Sequence, residues 1–99
     1  MIKPFVPSIL DVIDNGVFIL YFSNTDCAPC IMLEKILLQI DECDFYKLNI
    51  SEYLEIAQKL DVTSIPSIKI FKNGINISNI IGVRSEKDIR KILKHFNII

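Results

Sequence analysis

The sequence predicts an α/β fold: a central mixed sheet of four to five strands with helices on both faces. Three observations lead there. Strand-like and helix-like segments alternate along the whole of the 99 residues. The run Val17-Phe18-Ile19-Leu20-Tyr21-Phe22 is β-branched and aromatic with no polar alternation, the pattern of a strand covered on both faces. Further on, two period-2 runs flank Asn73-Gly74, a strong hairpin signal, so part of the sheet is antiparallel.

Taken in order, Ser8 followed by Asp11 has the form of a capping box and predicts a short helix from Ser8 to Asp14, closed by Asn15-Gly16. The strand Val17 to Phe22 follows. A helix then runs from Pro29 to Ile40, with apolar residues over most of its circumference, as for an element packed on a sheet. Phe45 to Ile50 reads as the next strand, and a strand-helix-strand crossover of this length implies parallel pairing with right-handed chirality. Glu52 to Leu60 is a second helix, with Tyr53, Ile56, Ala57 and Leu60 on one face. The hairpin strands are Ser67 to Lys72 and Ile75 to Ser78. Ser85 with Asp88 caps a last helix whose core stripe is Ile89, Ile92, Leu93 and Phe96.

Length and composition bound what such a fold does. One domain, residues 1–99, is expected, since cores below about 40 residues seldom stand alone. Hydrophobic residues make up 51% of the chain and Ile alone supplies 20 positions, enough for a filled core. Lys and Arg (11) nearly balance Asp and Glu (12), and no basic stripe interleaves with aromatics, so no nucleic-acid partner is expected. Pro4, Pro7, Asp11 and Asp14 interrupt the N-terminal segment, which therefore does not read as a secretory signal. The longest uncharged apolar run, Val17 to Phe22, is far short of the roughly 20 residues of a membrane span. The expectation is a soluble, cytoplasmic monomer that does not engage membranes.

The chemistry lies in Cys27-Ala28-Pro29-Cys30. A thiolate, not a thiol, attacks disulfides, so a useful cysteine needs nearby positive potential. Cys27 falls between a central strand and the first turn of a helix, where free N–H groups and the dipole supply it. Pro29 suits the first helical turn because its missing N–H is not needed there. Cys30, one turn on, is directed inward, which gives Cys27 the nucleophile's role and Cys30 the resolving one. Two other readings stand beside this one. A zinc site would need Cys43 or His95, whose spacing and placement fit poorly. A structural disulfide across two residues closes so short a loop that it constrains the unfolded chain little. Cys43, in Asp41-Glu42-Cys43-Asp44, is expected to be inert, with a pKa raised by its carboxylate neighbours. His95 receives no role.

Beyond the cysteine motif, Lys47-Leu48-Asn49-Ile50, Ser64-Ile65-Pro66-Ser67, Phe71-Lys72-Asn73-Gly74 and Gly82 complete a pattern that resembles the thioredoxin family over nearly the whole chain. The resemblance implies a thioredoxin-like fold and a redox-active Cys27–Cys30 disulfide. It implies a cis Ile65–Pro66 peptide facing the cysteines, with the Ile65 backbone pairing to an extended substrate segment. Asp26, Ala28, Pro29 and Gly82 would share that substrate surface. Three positions depart from the family pattern: Asp26 stands where tryptophan is usual, Ala-Pro replaces the commonest Gly-Pro, and Tyr21 occupies the place of a buried aspartate. Lys47 matches the lysine that neighbours that aspartate, and is expected either beside Tyr21 and the cysteines or snorkelling to solvent.

The expected function is reduction of disulfides in protein substrates by dithiol exchange, with no metal or organic cofactor and an external reductase as electron donor. One alternative is a glutaredoxin-like use of glutathione, disfavoured by the absence of a basic cluster for its carboxylates. The other is a binding module whose dithiol is incidental.

Overall fold

The computed structural model describes residues 1–99. Its five strands are β1 (Ile2–Pro4), β2 (Val17–Ser23), β3 (Phe45–Asn49), β4 (Ser67–Lys72) and β5 (Ile75–Ile81). They form one sheet in the order β1-β3-β2-β4-β5. β1, β3 and β2 are mutually parallel, while β4 is antiparallel to both β2 and β5. The helices are α1 (Ala28–Leu37), α2 (Leu54–Lys59) and α3 (Glu86–His95), preceded by a 3-10 turn over Pro7–Asp11.

β2 is the central strand, and its alternation divides the core. Ile19 and Tyr21 point to one face, where Leu33 and Leu37 of α1 and Ile89 and Leu93 of α3 cover them. Leu20 and Phe22 point to the other, against Ile9, Ile13 and Ala57 from the 3-10 turn, the segment after it and α2. Hence the absence of polar alternation from Val17 to Phe22: from Ile19 onward both faces of β2 are buried. The stripe expected on the second helix is present in full, since Tyr53, Ile56, Ala57 and Leu60 all pack into the second cluster.

Four expectations need correcting. The predicted helix Ser8 to Asp14 is a 3-10 turn starting at Pro7, with Val6 at its N-cap and no side-chain cap, so the Ser8/Asp11 box does not form. Pro7 takes the first position instead, where a missing N–H costs nothing. β1 was not expected; three residues ending in Pro4 carry almost no strand signal. The proline is tolerated because β1 is an edge strand and the ladder resumes with Phe5 N–H donating to the Lys47 carbonyl at 2.9 Å. α1 ends at Leu37 rather than Ile40: beyond it the chain tightens into i to i−3 hydrogen bonds at Gln39 and Ile40, and Ile31 and Met32 of its apolar set are exposed. β5 runs on to Ile81, three residues past the expected end, by way of a bulge between the pairs Ile70–Ser78 and Phe71–Asn76.

The hairpin turn forms as read, with Asn73 and Gly74 both at positive φ (51° and 81°), the combination that matches strand twist. Ser85 caps α3, its Oγ accepting the Asp88 N–H at 3.1 Å.

Candidate active site

Cys27 is the N-cap of α1. Its backbone is extended (φ −111°, ψ 100°), and its Sγ accepts the Cys30 N–H at 3.3 Å. A sulfur thus stands where Ser, Thr or Asp usually caps a helix, facing a main-chain donor the helix cannot satisfy internally. Cys27 and Cys30 are joined in a disulfide with a Cα–Cα distance of 5.2 Å. Their access differs: Cys27 is half-buried and Cys30 only 1% exposed. The helical period explains it, since Cys30, Leu33 and Leu37 share the stripe that faces the sheet. Ala28 and Pro29 lie exposed in the first turn.

Asp26, just before the cap, is exposed and at φ 55°, a left-handed conformation that Asp and Asn adopt more readily than bulkier residues. On the inner side, Tyr21 is fully buried and its hydroxyl donates to the Cys30 carbonyl at 2.8 Å. It therefore holds the peptide of the inner cysteine through the backbone. Burial pushes the Tyr21 phenol above its ordinary pKa; the Ser23 hydroxyl opposes that shift, and the Glu34 carboxylate adds to it.

Lys47 is the register partner of Tyr21 across β2 and β3. Its ammonium donates twice to the Glu34 carboxylate, at 2.9 and 3.1 Å, and makes no hydrogen bond to Tyr21 or to either cysteine. Glu34 was not singled out from sequence, although its position four residues after Cys30 places it one turn along a shared side of α1. Nor were Ile31 and Met32, 56% and 59% exposed, which set an apolar surface beside the disulfide.

Ile65–Pro66 is cis, and Pro66 is buried at the start of β4. Because Phe22 is paired with Ser67, the cysteine turn and the proline turn leave the same end of the sheet. Gly82, at φ 79°, donates its N–H to the Pro66 carbonyl at 2.9 Å and ties a third segment to that end. Ile65 is half-buried. No cavity is lined by Cys27 or Cys30.

Cys43 lies apart from this group, half-buried against the first core cluster. Its thiol pKa is raised, as expected, but chiefly by burial; Glu42 and Asp44 add to the shift while the N-terminal ammonium and Arg90 oppose it. His95 is exposed, edge-on to Phe96 at 4.8 Å. No three His, Cys, Asp or Glu side chains converge on a point where a metal would sit.

A disulfide capping a helix at the end of a central strand, beside a buried cis-proline turn, makes this an α/β protein with its Cys-x-x-Cys site at one end of the sheet. The thioredoxin family model matches residues 5–95, and the chain belongs to the thioredoxin family. It is 38% identical to Thioredoxin-1 of Saccharomyces cerevisiae over 65 residues, covering 62% of this chain and 63% of that protein. It is 30% identical to a thioredoxin of Staphylococcus epidermidis over 89 residues, covering 84% of this chain and 86% of that protein. The match thus spans less than two thirds of the yeast relative's length. Among solved structures, Malassezia sympodialis thioredoxin (Mala s 13) superposes with a TM-score of 0.81 at 21% identity, over 96% of this chain and 90% of that one, a likeness of fold.

Proposed function

We propose that this single-domain chain is a protein-disulfide reductase that works by dithiol–disulfide exchange through Cys27 and Cys30. The observation that carries the reading is the asymmetry of the pair: one sulfur half-exposed at a helix N-terminus facing an N–H, the other buried one turn further on. In the reduced protein the helix terminus favours the Cys27 thiolate. That thiolate attacks one sulfur of a substrate disulfide; a Cys27–substrate bond forms and the first substrate sulfur leaves as a thiolate, which takes up a proton. Cys30 then loses its proton and attacks the Cys27 sulfur, expelling the second substrate thiolate and closing Cys27–Cys30. Two electrons pass from the protein to the substrate, and an external thiol or dithiol reductant restores them.

Ile65 offers its main chain to an extended segment of the substrate, with Pro66 and Gly82 fixing that turn, and Asp26, Ala28 and Pro29 form the opposing rim. The absence of a cavity at the disulfide supports a polypeptide substrate over a small molecule, because docking on a surface needs no concave site. The protein works as a cytoplasmic monomer in this reading, and no helix is long and apolar enough to cross a membrane.

The test is trapping. With Cys30→Ser the first exchange proceeds and the second does not, so covalent adducts with disulfide proteins accumulate; with Cys27→Ser none forms. Adducts on Cys27→Ser would reverse the two roles. If neither variant traps a partner and the wild type does not accelerate insulin reduction by dithiothreitol, the binding-module reading takes over.

A further inference from the structure

Lys69 is the only charged side chain buried in this protein, at 8% exposure, and it has no ionic partner: the four ion pairs involve other residues. Its ammonium donates to Asn79 Oδ1 at 3.0 Å, and that oxygen also accepts from Asn76 Nδ2 at 2.8 Å. One neutral acceptor serves a group with three donors and a full charge. A part-buried ammonium held by one neutral acceptor gains a charge-assisted hydrogen bond when an anion is brought beside it. Lys69 lines a cavity of about 310 Å³ whose wall includes Thr63, Ser64 and Ser67. This volume suits a side chain better than a cofactor.

The cavity's position indicates where an anion would come from. Ser64 and Ser67 bracket Ile65–Pro66, and Ile81, also on the wall, precedes the Gly82 that holds the Pro66 carbonyl. The cavity therefore opens at the rim of the strip on which, in the reading above, a substrate segment lies. Side chains of an extended segment recur on one side every 6.6 to 6.8 Å or so, which lets a residue flanking the substrate's disulfide turn into the cavity. We infer that the Lys69 cavity is a specificity site that takes the carboxylate of an Asp or Glu flanking the disulfide of a polypeptide substrate. Asp61, the one carboxylate on the cavity wall, is exposed, forms no ion pair with Lys69, and opposes such a ligand.

The inference rests on the proposed reductase activity for its meaning but is tested first without it. Two disulfide-free peptides, identical except for Glu or Gln flanking a Ser in place of the cysteine, are titrated into the oxidised protein and followed by amide shifts at Thr63 and Asn79. The Glu peptide should bind about tenfold tighter, the range of one hydrogen bond to a charged group. Lys69→Met should bring the ratio to one, Lys69→Arg should keep it, and Asp61→Asn, which suits the positive φ there, should raise it. Circular dichroism checks that each variant folds. Equal binding of the two peptides to the wild type, or a preference that survives Lys69→Met, overturns the inference. So does saturation of the same shifts by succinate with no difference between peptides, which would make the site one for free anions. Single-turnover reduction of the matching disulfide peptides then separates the two proposals: binding preference without any reduction sinks the reductase reading alone, and reduction without preference sinks the cavity alone.

Discussion

The cysteines before and after α1 have opposite character. At the N-terminal end Cys27 faces the Cys30 N–H, with its neighbours Ala28 and Pro29 in solvent. Past the C-terminal end Cys43 sits half-buried between Glu42 and Asp44, in a region that Arg90 fastens by pairing with Glu42 and Glu86 and donating to the Gln39 carbonyl at 3.0 Å. Arg90 holds the Glu42 carboxyl below its ordinary pKa, so Glu42 stays ionised within that ion pair. The difference teaches that a thiol's reactivity follows from whether a helix N-terminus faces it or burial and carboxylates surround it.

The comparison breaks most visibly under alkylation. In the reduced protein at pH 7, iodoacetamide should label Cys27 at least about tenfold faster than Cys43, read by mass spectrometry of peptides over time. Unfolding in urea should erase the gap. Comparable native rates would show that the helix terminus contributes nothing.

A smaller effect sharpens the same contrast at its favourable end. Asp26 sets a carboxylate next to Cys27, against the helix terminus, and Asn tolerates the left-handed backbone there. Asp26→Asn should lower the Cys27 pKa and raise its alkylation rate near neutral pH by about two- to threefold. A pH–rate titration with an unchanged or higher pKa removes the claim.

The least effect lies at the other end. The Cys43 pKa is raised in the folded state, so between its unfolded and folded values the native protein binds more protons than the unfolded chain. Stability from this source is whole below the unfolded pKa, about 8.5, and is lost as pH rises through the folded value. Cys43→Ser should flatten the alkaline decline in urea midpoints measured from pH 8 upward. An identical slope would mean that other groups set it.

Most of the sheet was readable because its signals are local: a run with no polar alternation for β2, a turn dipeptide for the hairpin, a side-chain cap for α3. The cysteine pair was readable for the same reason. What escaped depended on neighbours distant in sequence. β1 exists because β3 offers it a free edge, and the 3-10 turn forms because Pro7, not Ser8, starts it. Lys47 pairs in register with Tyr21, but its charge neither reaches the cysteines nor simply snorkels; it belongs to Glu34, a partner that only folding brings close. Lys69 sits in a strand pattern that reads as an ordinary alternation of exposed and buried residues; its burial needs Asn79 of β5 and the segment after α2.

The bulge in β5 bears on how this protein behaves at high concentration. The strand Ile75-Asn76-Ile77-Ser78-Asn79-Ile80-Ile81 is an outer strand without a single charge, and Ile75 and Ile81 are 67% and 54% exposed. Such a segment, if flat, would template pairing with another chain and seed aggregates. The extra residue Ile77 interrupts the ladder between Asn76 and Ser78 and twists the edge out of that geometry. Its irregularity therefore protects the protein's colloidal stability.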